Sequence, residues 1–111
     1  MPDDYCVILC TAANQEEASR IAESLVTRRL AACVQTWPVA STYIWKGELN
    51  RDQEHLLVIK TTAQRYGEVE AAILANHSYE LPEILQLPVV NGLDRYLGWI
   101  AETVKSRTPS P

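Results

Sequence analysis

The first apolar segment of the chain, Tyr-Cys-Val-Ile-Leu-Cys-Thr-Ala over residues 5–12, is nearly continuous, with no alternation of wet and dry positions. A short run of that kind reads as a buried strand. Asn14 follows, with Glu17 three residues on, the spacing at which two side chains satisfy the orphan backbone N–H groups of a helix start. Ala18, Ile21, Ala22 and Leu25 then share one stripe, which predicts a helix over 15–30. Residues 32–46 are rich in Val, Thr, Trp, Tyr and Ile and predict a long strand. Pro38 lacks a ladder donor, so a bend, a bulge or an exposed edge is expected there. Lys46-Gly47-Glu48 supplies a turn, and residues 53–62 return as a strand centred on Leu56 to Ile59. A second helix is predicted over 63–77, with Tyr66, Val69, Ala72 and Ile73 on its apolar face. Pro82 lies beyond its end, and the residue before a proline disfavours helix. A fourth strand spans 83–90, Asn91-Gly92 turns the chain, and a last helix aligns Tyr96, Leu97, Ile100, Ala101 and Val104.

The order βαββαβ with a terminal helix is that of the split βαβ, ferredoxin-like α+β fold. Right-handed crossovers place the first two helices on one face of a four-stranded sheet. A sheet with one wet face should alternate apolar and polar residues. These strands do not. Val7 and Leu9 oppose Cys6, Ile8 and Cys10, Leu57 and Ile59 oppose Leu56 and Val58, and Ile84 opposes Leu85. One short terminal helix covers little of such a face, so a second copy of the chain in a closed ring is the expected cover. The other arrangement is a monomer whose last helix folds across the sheet. A single domain over residues 1–105 accounts for the pattern, and Ser106 to Pro111 is expected to be a disordered tail.

A chain of 111 residues can build one core without a disulfide or metal staple. Its net charge of -4 argues against nucleic acid and anionic membrane as partners. The acidic start, Met1-Pro2-Asp3-Asp4, has no basic segment leading into an apolar one, and no run approaches a membrane span. Cys6, Cys10 and Cys33 are odd in number and lack finger spacing, so reduced thiols in the cytoplasm are expected. The four glycines are isolated and no Ser-His-Asp set stands in a familiar context, so binding is expected rather than catalysis.

Six segments together resemble one family. They are Leu9-Cys10-Thr11-Ala12, Leu30-Ala31-Ala32-Cys33-Val34, Tyr43-Ile44-Trp45-Lys46-Gly47-Glu48, Lys60-Thr61-Thr62, His77-Ser78-Tyr79-Glu80-Leu81-Pro82-Glu83-Ile84 and Tyr96-Leu97-Gly98-Trp99-Ile100. In this order and spacing they resemble the CutA, or divalent-cation tolerance, family over roughly residues 5–105. The resemblance implies a ferredoxin-like fold, a homotrimer similar in plan to the PII signalling proteins, and a response to divalent metal ions, with copper binding described for bacterial members; the alternative readings are a PII-like regulatory trimer with a small ligand at the subunit cleft and a partner-binding scaffold with no ligand.

The family's proposed copper ligands, a first-strand cysteine and two adjacent histidines, fall on Cys10, Asn76 and His77; Asn76 replaces one histidine and Ser78 the usual proline. A thiolate and an imidazole suit copper or another divalent metal by softness, but two ligands do not close a tetrahedral site. Water, Glu80 or a residue of a neighbouring copy would have to complete it. The other reading makes Cys10 a small apolar core residue and His77 a helix-terminal one. For Cys33 packing is the favoured reading, and for His55 a surface or interface position. Trp45, Lys60, Tyr79, Glu80 and Glu83 form a second group by motif position, expected to border a cleft between subunits that holds a small anion or a metal complex.

Overall fold

The computed structural model describes residues 4–105. Its strands are β1 (Tyr5–Ala12), β2 (Cys33–Trp45), β3 (Glu48–Thr62) and β4 (Ile84–Pro88), and its helices are α1 (Gln15–Thr27), α2 (Tyr66–Asn76) and α3 (Asp94–Thr103). The four strands form one antiparallel sheet in the order β2-β3-β1-β4. Non-sequential strands are thus neighbours at its centre, which is the ferredoxin-like α+β arrangement expected from the element order. The tail expectation for residues 106–111 lies outside the described residues.

Strand periodicity assigns the two faces. Cys6, Ile8, Cys10 and Ala12 of β1 and Leu57 and Ile59 of β3 are buried against Ala18, Ile21 and Leu25 of α1 and Val69, Ala72 and Ile73 of α2. Both helices therefore cover the same face. The opposite face carries Val7 and Leu9, paired with Lys60 and Val58 on one side and Leu87 and Leu85 on the other. Here burial is incomplete: Trp37 is 46% exposed, Leu85 54% and Leu87 43%. Helix α3 packs Ile100 and Val104 with Ala32 and Tyr5 and reaches only that end of the sheet. This face stays open in the single chain.

The element limits depart from expectation where local geometry intervenes. Helix α1 ends three residues early. Leu30 N–H donates to Leu25 O and Arg29 N–H to Val26 O, the paired bonds of a Schellman stop, and Arg29 takes a φ of 61° where glycine is usual. β3 starts five residues early, because Lys46 (φ 52°) and Gly47 (φ 80°) form a two-residue turn that pairs Trp45 directly with Glu48. The intervening polar run is strand because its partner is strand. Pro38 lies opposite His55 on the outermost strand, in unbroken register, so the edge is realised and no bulge is needed. A short 3₁₀ turn (Ala63–Arg65) precedes α2, and His77, with extended φ and ψ, terminates it.

Ile8 is wholly enclosed between sheet and helices. Ile8→Ala is expected to cost about 2–5 kcal/mol, and Val90→Ala, at a wholly exposed position, within about 0.5 kcal/mol of nothing. Chemical denaturation of the two variants measures the contrast.

Candidate functional site

The long β2–β3 hairpin and the α2–β4 connection meet on the open face. On β2, Ser41, Tyr43 and Trp45 alternate outward; on β3, Asp52 and Glu54 stand opposite this row. The connection lays Tyr79, Glu80, Leu81 and Glu83 over the same side, closing a cavity of about 550 Å³. Tyr43 OH donates to Asp52, and Tyr79 OH donates to Glu54 Oε2 at 2.7 Å. Glu54 is only 8% exposed. Burial, reinforced by the bond to Glu54 and by the nearby Glu17 carboxylate, raises the Tyr79 phenol well above its ordinary value. At the mouth, Lys46 Nζ lies 5.6 Å from the Trp45 ring centroid and 3.9 Å from Glu80 Oε1.

Trp45, Tyr79, Glu80 and Glu83 line this one cavity of the single chain. Lys60 does not. It shares the open face but lies six positions along β3 from Glu54, about 20 Å at the rise of a strand, and donates to Gln35 Oε1. Within the single chain the cavity is lined by four carboxylates, those of Asp52, Glu54, Glu80 and Glu83, and by no lysine or arginine, so its field is negative. Asp52 was missed because β3 was expected to begin at residue 53, whereas Tyr43 and Glu54 lay inside expected strands without a motif signal that set them apart. Counting by twos from the Lys46-Gly47 turn finds all three.

Behind the cavity a bonded network holds the α2–β4 connection in place. Glu17 N–H donates to Asn14 Oδ1, as the capping spacing predicts. The reciprocal bond is displaced by one residue: Glu17 Oε1 accepts from Ala13 N–H. Its Oε2 accepts from Ser78 N–H, across 61 residues of sequence. Burial acts to raise the Glu17 carboxyl, but these bonds and the nearby His77 outweigh it and hold it below the usual range. His77 is engaged at both ring nitrogens. Nδ1 accepts from Tyr79 N–H at 3.1 Å, which leaves Nε2 as the protonated nitrogen, donating to Thr11 O at 2.7 Å.

That network bears on the expected metal pair. Cys10 and His77 do approach one another, since the Cys10 thiol also points at the Thr11 carbonyl, at 3.7 Å. But Cys10 is fully enclosed, and burial, with Glu83, Glu17 and Glu54 adding to it, pushes its thiol up to about 12. A thiol held protonated and an imidazole with no free lone pair do not fit a resident copper ion. Asn76 spends its amide on the Ala72 carbonyl. Among the described residues, no three His, Cys, Asp or Glu side chains gather as a metal-holding group. Cys6 is packed in the core, its thiol raised to about 11 by burial, Cys33 is half-buried at the start of β2, and His55 is half-buried on β3.

The profile of a family described as "CutA1 divalent ion tolerance protein" matches residues 6–103. The divalent-cation tolerance protein CutA of Thermus thermophilus is 43% identical over 97 residues, covering 86% of this chain and 94% of that one. Its namesake from Archaeoglobus fulgidus is 40% identical over 98 residues, covering 88% and 96%. A solved structure of the Archaeoglobus protein, described as periplasmic, superposes with a TM-score of 0.89 at 39% identity, covering 91% of this chain and 99% of that one.

Two outcomes follow from the network. Glu17→Ala strands the Ala13 and Ser78 N–H groups and is expected to cost about 1–3 kcal/mol. The Glu17 carboxyl sits lower when folded, so its stabilisation is present above the ordinary value of 4.5 and is lost as pH falls through the lower folded value. Acid titration of stability should show that loss in the wild type, and Glu17→Gln should flatten it. Separately, Cys6 and Cys10 should resist iodoacetamide at pH 8 in the native protein and react once it is unfolded, as read by mass spectrometry.

Proposed function

This chain belongs to the CutA1 divalent ion tolerance family, and from that premise we propose that it serves divalent-ion tolerance as a homotrimer, PII-like in plan, that acts by binding rather than by catalysis. The observation that carries the oligomer is the open sheet face. Val7, Leu9, Leu56, Val58, Leu85 and Leu87 form one apolar surface that α3 leaves uncovered, and identical copies arranged in a ring bury it three times over. The acidic cavity lies on that face, so neighbouring copies border it.

The binding role follows from the cavity's charge. Four carboxylates select a cation. Copper or another divalent ion is one candidate, and with Cys10 and His77 committed to the fold it would need oxygen ligands from more than one copy. Three cysteines without a disulfide favour a reducing compartment such as the cytoplasm.

Light scattering on the purified protein should report three times the 12.5 kDa chain mass. Val58→Asp or Leu85→Glu, each setting a charge on the shared face, should dissociate it. A wild-type protein that remains a single chain at micromolar concentration would refute the homotrimer.

A further inference from the structure

The cavity is the wrong size and shape for a bare ion. A divalent cation is enclosed by oxygens at about 2.0–2.6 Å. Here the carboxylates are spread around a space of about 550 Å³, within the range of organic-ligand pockets, and among the described residues they do not converge as a chelating group. Aromatic walls, Tyr43, Trp45 and Tyr79, alternate with the charges.

Two further observations point to the occupant. Glu54 is more than nine-tenths buried, yet only its Oε2 is engaged, by Tyr79. Among the described residues no hydrogen bond or ion pair reaches Oε1, and that oxygen is not sealed off, since no enclosed side-chain oxygen lacks a partner. Glu54 lines the cavity, so this oxygen can accept from a donor that enters it. The second is Lys46. Its ammonium stands at the mouth between the Trp45 ring and Glu80, so the chain's own primary amine already makes the contacts an organic cation would make there.

We propose that this cavity binds a small organic cation carrying amino or guanidino groups, with Glu54 receiving one charged donor inside and Trp45 and Glu80 receiving another at the mouth. The inference rests on the reading of the cavity as the cation-binding site and names its ligand class.

Isothermal titration of the wild-type oligomer with putrescine and agmatine, and in parallel with manganese and copper ions, tests it. Either amine should bind with an affinity that falls as salt rises. Glu54→Gln should weaken it roughly tenfold, the loss of one charged contact. The linker variant Glu80→Gln/Glu83→Gln should do the same, and it guards against a Glu54 variant that fails to fold. Lys46→Ala should tighten binding by vacating the mouth. Amine binding that these carboxylate variants leave unchanged overturns the proposal. So does binding of a metal alone, sensitive to the same variants, although that result preserves the cavity as a cation site. If neither amines nor metals bind the intact oligomer, the ligand class and the cation-binding reading fall together.

Discussion

Two helices can cover one face of a four-stranded sheet, and in this chain the sheet is apolar on both. Cys6, Ile8, Cys10, Leu57 and Ile59 satisfy the covered face by packing under α1 and α2. Val7, Leu9, Val58 and Leu85 have no such cover. Burying apolar surface contributes on the order of 25 cal/mol per Å², so a whole sheet face left wet forgoes a large stabilisation. That surface motivates the proposed assembly, in which the acidic cavity would lie where copies meet.

The cavity depends on a second constraint, the tethering of a connection that has no regular structure of its own. Residues between α2 and β4 would be free to move if only their backbone held them. Instead Glu17 reaches from α1 to Ser78, and His77 bridges the Thr11 carbonyl to the Tyr79 amide. Tyr79 is thereby aimed at Glu54 across the sheet. A family motif that suggests metal ligands is here spent on positioning. The chemistry of Cys10 follows from the same packing: a thiol that fills a core site between strand and helices gives up its nucleophilic and ligating form.

What remains in the cavity is charge of one sign beside aromatic faces. The carboxylates of Asp52 and Glu54 are oriented by tyrosine hydroxyls, which are neutral donors and leave the negative charge uncompensated. Motif position groups Lys60 with Glu80 and Glu83, but within the chain it lies near the other end of β3 from Asp52 and Glu54, beside Gln35. The electrostatic character of the site was therefore decided by register and not by composition.

The sequence alone determined the ferredoxin-like element order, the facing of Cys10 and Ile8, and the apolar character of both sheet faces, because each is set by the two-residue period of a strand or the 3.6-residue period of a helix. It also carried the family motifs, and with them Trp45, Tyr79, Glu80 and Glu83. It did not disclose the early start of β3, since Asn50 to Asp52 are polar and become strand only by pairing with Ser41 to Tyr43. Nor did it disclose that both nitrogens of His77 are occupied, or that Lys60 stands apart. The His77–Thr11 bond spans 66 positions and the Lys60–Gln35 bond 25, and only the closed tertiary structure brings residues so far apart in the chain within bonding distance.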